Sequence, residues 1–149
     1  MSRITEFLTN LRRIIKLHEG MLKKVGEEYQ LTPIETRIIS FLHNNPEKDT
    51  AADIVELRML SKGNVSQAVE SLIQKSLLRR KPDQSDRRKI HLSLTPSAFP
   101  ILHSMDLLWR QFETIVFSGI SSEERELFER INDKIIENTK YALSGRDEK

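Results

Sequence analysis

The stretch from Ser61 to Lys75 restricts the possible folds more than any other. Val65, Ala68/Val69 and Leu72/Ile73 recur at helical spacing and mark one buried stripe. With Val69 at the centre of that stripe, a turn of about 100° per residue puts Gly63, Asn64, Gln67, Glu70, Ser71 and Gln74 opposite, with Ser66 nearer the boundary. A merely solvated face usually carries Glu and Lys in i,i+4 pairs. This one carries weaker helix formers that donate and accept hydrogen bonds. Ser61 is placed to cap the helix. Asn and Gln can pair with an adenine edge in bidentate fashion, Lys62 can reach guanine or phosphate, and Ser can reach either. The helix N-terminus adds free N–H groups and a partial positive charge.

The flanking segments give this helix a context. Thr50, with Asp53 three residues on, predicts a short helix through Leu57 that ends near Arg58-Met59-Leu60. A short helix, a tight junction and a polar-faced second helix read as a helix-turn-helix. A helical pair inside a bundle has the same local signature. Downstream, Leu77–Lys81 is a strand candidate, Pro82-Asp83-Gln84-Ser85 is turn chemistry, and Arg88–Leu94 alternates. That alternation predicts Ile90, Leu92 and Leu94 inward, with Lys89, His91 and Ser93 outward. A hairpin directly after a helix-turn-helix is a wing. Its arginines could enter a narrow minor groove, with Asp86 beside them to fix orientation.

Charge is uneven in the same place. The 149-residue chain has a formal charge of only +2, yet residues 75–91 hold seven basic side chains against Asp83 and Asp86, a local +5. The rest of the chain is therefore mildly acidic, at −3. Such asymmetry suits a polyanion partner, and equally a solvated basic loop.

Helices are expected on both sides. Ile4 to Val25 repeats apolar residues (Ile4, Phe7/Leu8, Leu11, Ile14/Ile15, His18, Met21/Leu22, Val25) over about three heptads. Thr32-Pro33-Ile34-Glu35 is a capping box with Pro at the first helical position, opening a helix through Asn44 that Asn45-Pro46 ends. Thr95-Pro96 begins a helix bearing Ile101/Leu102, Met105, Leu108/Trp109, Phe112 and Ile115/Val116. Ser121–Glu124 is a further capping box, before Leu127/Phe128, Ile131, Ile135 and Ala142. These flanking helices are too apolar to stand alone, and a two-fold interface would cover them.

The run Leu60–Ile73, followed by Asp86-Arg87-Arg88 and Leu94-Thr95, resembles the MarR (multiple antibiotic resistance regulator) family, and the resemblance extends over essentially the whole chain. It implies a mainly α fold: a winged helix-turn-helix over 33–95 with a small β-hairpin wing, flanked by dimerisation helices at 1–30 and 96–145 in a single domain over 1–149. It implies a homodimeric regulator of transcription that binds a pseudo-palindromic double-stranded DNA operator, often a repressor relieved by a small ligand. Ser61, Lys62, Gly63, Asn64, Ser66, Gln67 and Glu70 would lie at or near the major groove. Arg88, held by Asp86, would enter the minor groove, with Arg87 and Lys89 near phosphate. A candidate ligand pocket between the N-terminal helices and the winged helix would involve His18, Met21 and Trp109. Two departures concern the next helix: Ala98 stands where the family commonly has glycine, and Pro100 interrupts its start. The family's entry geometry therefore does not carry over there.

Other classes find little support. The chain has no cysteine, which removes disulfides, thiolate metal sites and thiol switches. Its histidines, His18, His43, His91 and His103, form no i,i+4 pair, so neither a metal nor a cofactor is expected. No nucleophile elbow or phosphate-binding glycine loop is present, and no catalytic residues are assigned. No run of 18 apolar residues and no signal pattern occurs, so a cytoplasmic protein is expected. The competing functional expectation is a winged helix used for protein interaction, without sequence-specific DNA binding.

Overall fold

A computed structural model describes residues 1–58 and 60–145. The predicted end of the short helix at Met59, and residues 146–149 of the expected single domain, lie outside them. Among the described residues the order is α1 (Arg3–Glu28), α2 (Pro33–Asn44), α3 (Ala51–Arg58), α4 (Lys62–Gln74), β1 (Leu78–Pro82), β2 (Ile90–Leu94), a 3-10 turn (Pro96–Ala98), α5 (Phe99–Val116) and α6 (Ser122–Ser144). The chain forms two compact units, Met1–Phe112 and the part from Glu113 onward.

In the first unit, local chemistry fixes the helix starts. Thr32 Oγ1 accepts from Glu35 N–H (3.2 Å) while the Glu35 carboxylate accepts from Thr32 N–H (2.8 Å), the expected reciprocal box. Thr50 and Asp53 make the same exchange at α3, and Ser61 Oγ accepts from Asn64 N–H at α4. The ends of α1 and α4 are alike. Each closes with a residue in left-handed backbone, Gln30 (φ 58°) and Ser76 (φ 63°). Leu31 N–H returns to Gly26 O (2.8 Å) and Leu77 N–H to Leu72 O (3.0 Å), satisfying carbonyls the helices leave open.

The core lies between these helices. Ile38, Ile39, Ile54, Val65 and Leu72 are fully buried, with Leu22, Val25, Phe41, Val69, Leu78, Leu92, Ile101 and Met105 around them. Helix α2 packs on both α1 and α4, and α3 packs on α4 and β2. Gly26 permits the α1–α2 approach, because a Cβ there would lie 2.6 Å from Thr36 Oγ1.

β1 and β2 pair antiparallel, from Leu78 opposite Leu94 to Pro82 opposite Ile90. Pro82 thus ends a strand rather than opening the turn, which a two-stranded ribbon allows because both strands are edges. Leu92 N–H also donates to Asp49 O (2.8 Å), tying the hairpin to the loop before α3. Thr95 Oγ1 donates to Ser76 O (2.6 Å) and Thr95 N–H to Leu77 O (3.1 Å), closing the hairpin base. Ala98 is fully buried within the 3-10 turn, where a side chain is accommodated. Pro100 occupies the second position of α5, where its missing N–H costs no helical bond.

In the second unit, α6 opens with the Ser121–Glu124 box. Arg125 stacks on Phe117 (3.5 Å to the ring centre) and pairs with Glu113 and Glu129. None of the residues of α6 is buried, and Leu127, Phe128, Ile131, Ile135 and Ile136 are exposed. The N-terminal half of α1 exposes Ile4, Phe7, Leu8, Leu11 and Ile15 in the same manner.

Candidate nucleic-acid interface

The outer face of α4 is polar and mostly uncommitted. Lys62, Gly63, Asn64, Ser66 and Gln67 are exposed, while Val65, Ala68, Val69 and Leu72 are buried on the other side. Ser61 is exposed at the cap, its hydroxyl engaged with Asn64 N–H. Glu70 is exposed too, but its carboxylate pairs with Arg80 on β1, so α4 and the hairpin are joined there.

Ser71 is half-buried rather than on the outer face. Its hydroxyl donates to the Glu35 carboxylate (2.7 Å), and Lys75 Nζ reaches both Glu35 oxygens at 3.0 Å. Helix geometry alone puts Ser71 opposite the buried stripe, and a partner 36 residues earlier covers it there. Glu35 is only 1% exposed. Burial pushes its pKa up, but bonds from Thr32 N–H, Ser71 and Lys75 outweigh burial and leave it below the ordinary value.

The wing is built from polar bonds. Asp83 Oδ2 accepts from Ser85 N–H (3.1 Å), Ser85 Oγ (2.9 Å) and Asp86 N–H (2.9 Å). Lys89 O accepts from Asp83 N–H (2.9 Å), and Lys89 N–H donates to Asp86 O (3.0 Å). Asp86 Oδ1 accepts from Arg88 N–H (3.0 Å) and lies 3.5 Å from Arg88 Nε. The Asp86–Arg88 association inferred from sequence is therefore present, and the Arg88 side chain remains 93% exposed beyond it. Arg87 and Lys89 are exposed as well.

His91, expected to face outward, is covered on that side. It is half-buried, with Nδ1 2.7 Å from Asp49 Oδ1 and Nε2 2.7 Å from Asp83 Oδ1. These bonds, to Asp49 first and Asp83 second, raise its pKa, while the bond from His91 is the largest cause holding Asp83 far below the usual carboxylate range. Strand alternation gives the side of the ribbon correctly. It carries no information about the two loops that fold over that side.

A second concavity, of about 480 Å³, lies among α1, α2, α3 and α5. His18 and Trp109 line it with Phe112, Arg37 and Arg58. His18 meets both aromatic rings edge-on, at 5.9 and 5.2 Å between centres. Burial, then the Arg58 charge, lowers the His18 pKa. Met21 packs against the core instead of lining this cleft. Arg37 and Arg58 gave no motif in the sequence, since they converge from separate helices.

A short helix, a tight junction, a polar-faced helix and a basic hairpin define a winged helix-turn-helix protein. Residues 29–89 match the sequence model of the MarR family. Over 134 residues the chain is 27% identical to the HTH-type transcriptional regulator PecS of Dickeya dadantii, covering 86% of this chain and 81% of PecS. The chain thus resembles the MarR family in sequence. Its fold resembles that of Staphylococcus aureus MepR in complex with DNA (TM-score 0.67, 20% identity, 93% of this chain and 98% of MepR). It also resembles Bordetella bronchiseptica BpsR, whose DNA binding is regulated by 6-hydroxynicotinic acid (TM-score 0.63, 22% identity, 87% and 98% covered). Among the described residues, no helix is long and apolar enough to cross a membrane.

Proposed function

We propose that this chain is a homodimeric, sequence-specific double-stranded DNA-binding regulator of transcription, acting as a cytoplasmic repressor and not as an enzyme. Helix α4 enters the major groove through Ser61, Lys62, Gly63, Asn64, Ser66 and Gln67. Glu70 borders that surface and holds Arg80. The wing places Arg88 at the minor groove, with Arg87 and Lys89 against phosphate. One observation carries the reading: α4 presents an uncommitted polar face, and in the hairpin that Glu70–Arg80 joins to α4, Arg88 is bonded through its N–H to the Asp86 carboxylate while its side chain stays exposed. Protein docking on α4 would call for an apolar anchor, and no large apolar side chain of α4 is exposed.

The region 33–95 forms the DNA-binding part, and 1–30 with 96–145 the dimer-forming part of a single functional domain. The exposed apolar stripes of α1 and α6 support that division, since contiguous apolar surface of this kind marks an interface. The cleft at His18 and Trp109 is the proposed effector site. Its aromatic walls and two arginines suit a small planar anion, and the regulated binding of BpsR supports a ligand-responsive role. Selection from a random duplex pool at two salt concentrations tests the whole reading. It should return a palindrome with half-sites roughly 10 bp apart, bound with a steep salt dependence. Recovery of unrelated sequences at both salts would overturn it.

A further inference from the structure

The wing reaches the rest of the molecule through a line of polar contacts that crosses one titratable ring. Asp49, in the loop before α3, meets His91 Nδ1, and His91 Nε2 meets Asp83. Asp83 organises Ser85 and the Asp86 N–H, and Asp86 receives Arg88. A neutral imidazole has one N–H, so its other nitrogen would set a lone pair against a carboxylate that can only accept. Two carboxylates at hydrogen-bond distance from the two nitrogens therefore call for a proton on both.

We propose that His91 is a pH-sensitive clamp: doubly protonated, it ties the wing to the loop before α3, and on losing a proton it releases the wing. The surrounding charges support this sign. Asp49 and Asp83 favour the cation and outweigh the opposing effect of burial; Lys81 is its cross-strand neighbour on β1. On α3, Asp53 is bonded by Thr50 and senses Lys48 and Lys89. Helix α2, also packed on β2, keeps its buried carboxylate Glu35 on Ser71 and Lys75. The folded-state pKa of His91 is raised, so the clamp is fully formed below the ordinary histidine value and is lost as pH rises through the higher folded value.

The clamp itself requires no DNA, and its effect on affinity rests on the function proposed above. The test follows the His91 ring resonances and amide exchange over residues 83–89 by NMR in the full chain, from about pH 6 to about pH 9. The ring should titrate above the ordinary value, and wing exchange should accelerate through the same midpoint. Asp49→Asn should move both midpoints downward while leaving the backbone tie from Leu92 to Asp49 in place. His91→Gln should remove the transition from the exchange profile. Affinity for a selected duplex should fall about tenfold across the wild-type titration if the midpoint differs by one unit between clamped and free wings, and should lose that step in His91→Gln. A ring titrating at or below its ordinary value, or wing exchange indifferent to its titration, would overturn the clamp. A titrating wing on a chain that binds no duplex at any pH would support the clamp and remove the DNA-binding function instead.

Discussion

Helix α4 and the wing are neighbours with similar proposed duties, but they are held by different forces. Val65, Val69 and Leu72 bury one side of α4 in the core, and the polar side is carried passively by that packing. The wing's residues 83–89 bury no apolar side chain, and a few carboxylate bonds define them. Packing of the first kind is insensitive to protons and salt. Bonds of the second kind respond to both. A fold can thus make one recognition element fixed and the adjacent one adjustable, using only the choice of what lies beneath it.

The largest expected effect attacks the fixed element. Leu72→Ala should destabilise the protein by about 2–5 kcal/mol in urea unfolding, because a fully buried side chain leaves a cavity. The wing variant Asp86→Ala should change stability by less than about 1 kcal/mol, its bonds being exposed. Similar losses from both would break the contrast.

The next test concerns binding. Gln67→Ala should cost about 1–3 kcal/mol on the preferred duplex and relax choice at one base position. Arg88→Ala should weaken binding on most sequences and flatten the salt slope, read by titration at several salt concentrations. An unchanged slope would remove the wing from the interface.

A third test lies beneath α4. Lys75→Met removes a partner of the buried Glu35 carboxylate and should cost about 1–3 kcal/mol at neutral pH. Glu35 has a lowered folded pKa, so its contribution is present above the ordinary glutamate value and is lost as pH falls through the folded one. The variant should therefore begin to unfold at higher pH than wild type in an acid titration followed by circular dichroism. The smallest effect is a gain. Ser76→Gly, at φ 63°, should add about 1 kcal/mol by relieving left-handed backbone where α4 passes into β1.

What the sequence discloses follows from distance along the chain. The Thr32/Glu35, Thr50/Asp53 and Ser121/Glu124 exchanges lie within one helical turn, so residue order alone is enough to place them. The Asp86–Arg88 contact is equally local. By contrast, Ser71 and Lys75 meet Glu35 after separations of 36 and 40 residues, and His91 meets Asp49 after 42. Helical angle and strand alternation assign a side to such residues without naming what covers it. The cleft follows the same rule: His18 and Trp109 stand out as residue types, but Arg37 and Arg58 join them only through the packing of separate helices.

The closure of the hairpin at its base has an evolutionary consequence. Thr95 is bonded to Ser76 and Leu77, and Leu92 to Asp49, so these bonds anchor the ribbon away from its tip. Residues 84–88 bear none of that anchoring through apolar burial. Exposed loop tips of this type accept substitution, lengthening and shortening with little cost to the rest of the fold. Lineages can therefore rewrite the tip, and with it whatever surface the tip addresses, while inheriting the helical body unchanged.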